Sequence, residues 1–413
     1  MLYPVLVAAP QTPDPAADPS ARRVIMTVVA IQFASCLGFF SVMAHLVAHL
    51  RHDLGLLAGT VGLILGLRVG LQFALLLPVG TVTDLLGARN TGAIACVLRM
   101  AGFALLAAAD GVAGLLCASV VIAVGGALYN PAAQSLLAGV GPARRPGGFA
   151  AYVATQHIAT IVGPPMGLAL LSVGNGFALL AGVASALWLV AGALFLLLPR
   201  RRGAKPAPAR FHHVVTGVRT VLGDRRFVLF ALMTAPTTLL ANHIMTAVPL
   251  LGFAPAAATL CFSLLAVIAA IAQPFVATGG RGERPWVLRL GLLCAAATFF
   301  VLAPLDGTQT APLMLAAVLN GVANGLIQPS IFQRIARHAP AERFGSYYGV
   351  VAFCAGMFSF AGDLVVGRLF DLGAAGVALI GVGAFALVAA FGTPGSITAE
   401  PGRGSGARPR RRP

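Results

Sequence analysis

The chain has 413 residues, of which 58 % are hydrophobic and only 10 % charged, with a formal net charge of +16. Soluble domains carry about a quarter charged residues, so too little polar surface is present here for a protein bathed in water, and the chain belongs in lipid. The basic excess does not describe a nucleic-acid surface, because that needs Lys and Arg gathered on one soluble face and here they punctuate apolar runs.

In chain order, residues 1–23 combine a short apolar start with several prolines and no basic leader. They read as a disordered cytoplasmic tail, not a cleaved signal. A membrane-crossing helix needs about 20 mostly apolar residues. That criterion predicts six spans in residues 24–199: Val24 to Val47, Leu56 to Pro78, Thr91 to Ala109, Val112 to Leu137, Phe149 to Ser172 and Phe177 to Leu198. A basic, Pro- and Ala-rich link follows over residues 200–226. Six further spans fill residues 227–393: Phe227 to Leu250, Ala256 to Ala277, Val287 to Pro304, Pro312 to Arg334, Gly345 to Gly367 and Gly373 to Phe391. Residues 394–413 form a second basic tail, expected to be disordered.

Two patterns organise these spans. Leu128, Pro131, Pro142, Ala143, Arg145 and Gly147 recur 198 positions later as Leu326, Pro329, Pro340, Ala341, Arg343 and Gly345, which points to duplication of a six-helix unit. Cytoplasmic loops carry the Lys and Arg excess. With both termini inside, 24 of the 28 basic residues fall on the cytoplasmic side.

The link between the second and third spans contains Gly80, Asp84, Gly87 and Arg89. It resembles the signature loop of the major facilitator superfamily, G-x-x-x-D-R-x-G-R-R, with Leu85 and Ala88 standing where basic residues are usual. The resemblance implies an all-α polytopic fold of 12 transmembrane helices in two six-helix pseudo-repeats, with both termini cytoplasmic. It also implies that Asp84 latches onto the start of the eleventh helix near Gly345 and Ser346 when the cytoplasmic side closes. The fifth span holds Gly163, Pro164, Pro165 and Gly167, close to the G-P-x-x-G core found in exporters of that superfamily; adjacent prolines also demand a kink. The surroundings of Arg68 and Arg99 resemble those in twelve-helix multidrug resistance (drug:proton antiporter) proteins. The R-x-x-Q-G setting of many proton-driven exporters is absent, since Val121 and Val124 precede Gly125 where the Arg and Gln would stand.

Charged groups within a bilayer are costly and mark candidate functional sites. Arg68 and Arg99 lie mid-span without an acid at that depth in their own half. Asp363 is the acid at membrane depth in the other half, suited either to proton exchange or to an ion pair with nearby Arg368. His157 and His243 titrate near neutrality when unperturbed. Gln32, Tyr129, Asn130, Gln134, Asn242, Asn320, Asn324 and Gln328 are the polar candidates for a central cavity; the last three share one helical face and are expected to point into it.

No nucleotide-binding, metalloprotease or serine-hydrolase motif occurs, and the six dispersed cysteines suggest neither disulfides nor a metal site. The chain therefore reads as no enzyme and as needing no cofactor. The expected activity is proton-coupled efflux of small amphipathic compounds by a monomer in the bacterial inner membrane, with protons and membrane lipids as partners. The alternatives are an importer or facilitator of a small organic anion, and a non-transporting sensor or lipid-handling protein on the same scaffold.

Overall fold

In the computed structural model, residues 19–76, 79, 83, 86–141, 143–173, 176–198, 219, 221–277, 280–338 and 344–392 are described. Among them there is no strand; twelve helical rods run up and down. They are α1 (Pro19–Ala48), α2 (Ala58–Ala74), α3 (Ala88–Ala108), α4 (Val112–Ala138), α5 (Arg145–Leu171) and α6 (Gly176–Leu197). The second set is α7 (Arg225–Leu240, continued by Ala241–His243 and Ile244–Leu250), α8 (Pro255–Ala277), α9 (Pro285–Leu302), α10 (Thr310–His338), α11 (Phe344–Asp371) and α12 (Ala375–Gly392). Helices are the economical answer to lipid, where each backbone N–H and C=O must be satisfied within its own segment. Ten of the rods are long and apolar enough to cross a membrane; α2 is apolar but shorter. Leu197, Ile271, Val388 and Phe391 point outward, each at least 70 % exposed, so the outer surface is one that only lipid would favour.

The sequence-derived spans recover all twelve rods, with two departures. α1 starts at Pro19, within the stretch expected to be tail. α7 is interrupted by a single 3-10 turn at Ala241–His243, which hydropathy does not register because both flanks are equally apolar. The Ala241 carbonyl beside that turn accepts a hydrogen bond from Asn320 Nδ2 of α10 at 3.1 Å.

Each half has its own apolar core, with Phe103, Trp188 and Phe195 prominent in the first and Phe227, Phe230, Phe262 and Phe299 in the second. The halves are pinned together at the end that carries the 49–57 and 251–254 turns, called the hairpin end below. There Ala44 of α1 belongs to the second core and Leu250 of α7 packs against the first.

The most extensive contact between halves is α2 against α11. Gly59, Gly62, Gly66 and Gly70 form one face of α2, and a Cβ at Gly62 would sit 2.2 Å from the Asp363 carbonyl oxygen. Small residues allow this backbone approach, the usual means of tight helix association in lipid. At the hairpin end the Asp371 carboxylate accepts the backbone N–H groups of Ala58 and Gly59 at 2.7 and 2.8 Å. It thereby caps α2, the first helix of its contact pair, from the opposite half; a carboxylate is favoured there by the free amides and the helix dipole.

Candidate functional site

A cavity of about 490 Å³ lies between the halves, lined from α1, α2 and α5 on one side and α7, α8, α10 and α11 on the other. Its ionisable lining groups are Arg68, His157, His243 and Asp363. His243 sits in the 3-10 turn of α7, and its Nδ1 lies 2.8 Å from Asp363 Oδ1 on α11, with both side chains less than a tenth exposed. The turn is what aims His243 sideways at α11. The glycine contact with Gly62 then sets this pair against α2, which contributes Arg68 to the same lining. Arg68 makes no hydrogen bond within the described protein; its guanidinium lies over the Phe39 ring, 5.4 Å from the centroid.

Asp363 therefore pairs with His243, 120 positions away, and not with its sequence neighbour Arg368. Arg99 is behind the wall. Its Nη2 donates to Gln72 Oε1 at 3.0 Å, and it lies over Phe39 and Trp188 at 5.0 and 5.3 Å. Room for it comes from Gly125, where a side chain would collide with the Arg99 stem and backbone, and from Gly126, where it would collide with the guanidinium. Gln72, not Arg99, reaches the cavity.

The polar candidates divide. Asn242, Asn324 and Gln328 line the cavity. Asn320 does not; it is fully buried, bonded to α7, and accepts from Asn324 Nδ2 at 2.9 Å. The periodicity placed the three on one face, but the break in α7 provides Asn320 with a carbonyl that turns it to the neighbouring helix. Gln32 and Tyr129 are buried and linked to each other at 2.8 Å, and Gln32 touches the cavity only through Gln156, at 3.4 Å. Asn130, which accepts from Tyr152 at 3.3 Å, and Gln134 are exposed on α4 outside the cavity lining. His157 lines the cavity and hydrogen-bonds Gln273 of α8 across the halves.

In the proline motif, Pro165 cannot donate to the Ile161 carbonyl four residues earlier. Ser263 Oγ of α8 takes that carbonyl at 3.1 Å, a bond between halves. Gly163 and Gly167 allow α1 to close on α5, with the Ser41 carbonyl 2.4 Å from where a Gly167 Cβ would be. His45 Nε2 donates to the Pro164 carbonyl at 3.0 Å. In the α2–α3 link, Gly80 and Asp84 lie outside the described residues. Gly87 has φ of 78°, a left-handed value suited to glycine, and caps α3. Arg89 donates to the Leu196 carbonyl of α6, a helix end in its own half.

Of the cavity residues that escaped sequence reading, Gln72 and Gln273 are lone amides in apolar runs, Phe39 is one of many aromatics, and Gln156 adjoins His157. His45 had one available signal: it lies 198 positions before His243, the offset of the repeat.

The helical fold with its cavity between two halves agrees with the sequence comparison, in which the Major Facilitator Superfamily profile matches residues 28–362. The chain belongs to the major facilitator superfamily. An uncharacterized MFS-type transporter of Mycobacterium tuberculosis is 27% identical over 363 residues, covering 82% of this chain and 84% of that protein. The multidrug resistance protein MdtH of Cronobacter sakazakii is 30% identical over 375 residues, covering 85% and 90%. Among solved structures, the nucleoside transporter NupG superposes with a TM-score of 0.71 at 14% identity, covering 89% of this chain and 97% of that one. A POT family transporter in complex with a thioalcohol conjugated peptide gives 0.73 at 14%, covering 89% and 95%. These two likenesses describe the shared fold. As a superfamily member the chain is a multi-pass membrane transporter and not an enzyme.

Proposed function

We propose that this chain exports small amphipathic compounds across the bacterial inner membrane by alternating access, in exchange for protons. The observation that carries the reading is the buried His243–Asp363 pair at the wall of the inter-half cavity that Arg68 also lines. A carboxylate hydrogen-bonded to an imidazole is a group that can hold or release a proton without a free charge entering the bilayer.

Its position supplies the coupling. Asp363 belongs to the second half and its charge acts on Arg68 of the first. Protonating the pair weakens that attraction across the seam, while a substrate in the cavity adds contacts to both halves. A ligand moves a conformational balance only by interacting differently with the two states, and both events meet that condition here. The similarity to MdtH, named a multidrug resistance protein, favours efflux of varied compounds. The aromatic and Met lining with scattered amides suits amphipathic bodies. Arg89 and the neighbouring Asp84 are assigned to the gate at the end bearing the α2–α3 link, with Arg89 anchoring the link to α6.

The test is pH-gradient-driven movement of a panel of cationic, neutral and anionic aromatic compounds in liposomes holding the full chain. Asp363→Asn and His243→Gln are expected to abolish gradient-driven accumulation while sparing gradient-free exchange. Full gradient-driven activity in Asp363→Asn would remove the pair from the mechanism.

A further inference from the structure

The charges around the cavity do not balance. On the first half Arg68 lines it, and Arg99 stands one side chain behind, bonded to the lining residue Gln72. Against these two guanidiniums the lining offers one carboxylate, Asp363, and that carboxylate is hydrogen-bonded to His243. The other described acid close to this seam, Asp371, is bound to the N-terminus of α2. With both histidines neutral the local sum is one positive charge, and a proton on His243 or His157 raises it. Arg68 Nε, Arg99 Nε and Arg99 Nη1 are buried without a hydrogen-bond partner among the described residues. Buried donors of charged groups left unmatched are expensive; of these two side chains Arg68 is the one a ligand in the cavity can reach.

The rest of the lining suits an apolar body. Phe39, Phe40, Phe73 and Phe262 with Met43 and Met245 face the space, and about 490 Å³ accommodates two or three fused rings. Phe39 also lies under both guanidiniums, which holds Arg68 in place by ring contact and leaves its planar edge to the ligand. A guanidinium presents paired donors that match a carboxylate or sulfonate in a way a point charge does not.

We infer that the transported compounds include amphipathic organic anions, whose carboxylate or sulfonate docks on Arg68 while the apolar body lies among the cavity's aromatic and methionine side chains. Arg68 is then a specificity-determining residue, and Arg99 supports it through Gln72 and the field of its charge. This inference rests on the transport reading above and narrows its substrate class.

Three probes of one shape and different charge separate the two claims: naphthalene-2-sulfonate, naphthalene-2-sulfonamide and 2-naphthyltrimethylammonium. Equilibrium binding to the purified full chain and counterflow in proteoliposomes would both be measured. The sulfonate is expected to bind tightest and move fastest. Arg68→Gln is expected to weaken sulfonate binding by about tenfold to a hundredfold, the range for losing hydrogen bonds to a charged group, with the sulfonamide changed less than about twofold. Arg68→Lys should recover part of the loss. If the sulfonamide or ammonium probe is preferred, or if Arg68→Gln leaves sulfonate binding intact, the inference is overturned while transport stands. Arg68-dependent sulfonate binding without flux of any probe would support the site and sink the transport reading; neither binding nor flux would sink both. Should Arg68→Gln not fold, the wild-type charge series and Arg68→Lys decide the matter.

Discussion

His45 and His243 occupy equivalent places in the two repeats, and their different partners show how duplication has become asymmetric. At the same offset Pro165 corresponds to Asp363. His45 therefore meets a backbone carbonyl at Pro164, while His243 meets a carboxylate. One histidine ties α1 to α5; the other ties α7 to α11 through a carboxylate. His45→Ala is expected to lower the unfolding midpoint in detergent, with a loss of about 0.6 to 2 kcal/mol typical of an interhelical bond in lipid, and to leave the pH dependence of transport unshifted. A displaced pH profile in His45→Ala would show that both histidines take part in coupling. The presence of Arg68, Arg99, His243 and Asp363 at membrane depth was legible from their cost in an apolar run. Their partners were not, because a partner is chosen by helix face and depth, and His243 and Asp363 are far apart along the chain.

At the scale of helices, the α2–α11 seam is the most extensive contact between the halves. Its glycine face brings two backbones together so closely that side chains have no room, as at Gly62 against Asp363. Gly62→Leu is expected to separate the helices and to abolish transport, with Gly62→Ala intermediate; unchanged flux in Gly62→Leu would show that the seam is dispensable. The Asp371 cap is a second, electrostatic hold at the hairpin end. Removing a helix cap costs about 1 kcal/mol, so Asp371→Ala should shift the balance between states about fivefold toward opening at that end. A membrane-impermeant thiol reagent reacting with a cysteine introduced by Met43→Cys reads this directly, and equal labelling rates with and without Asp371 would dismiss the hold. The gap in the α5 hydrogen-bond ladder was readable, since Pro164 and Pro165 have no N–H to donate. That Ser263 would take the Ile161 carbonyl was not, because the acceptor is freed locally and filled from the other half.

For the whole molecule, the distribution of basic residues predicts an orientation with both termini inside. Tags placed after Gly392 and within residues 200–226 are expected to report from the cytoplasm, as the bias of Lys and Arg toward that side requires; a signal from outside at either place would reverse every statement about direction. The break in α7 shows where composition fails as a guide, since a 3-10 turn within an apolar run alters neither hydropathy nor charge. Residence in lipid, the twelve rods and the duplication could be read from the chain alone, because hydropathy, proline spacing and repeat offsets are local or periodic properties. Folding alone decided that Asp363 would meet His243, that Arg68 would face the cavity while Arg99 stayed behind it, and that Asn320 would leave the polar stripe. Those outcomes depend on the rotation and depth of helices packed against one another, and glycine contacts between distant segments set both.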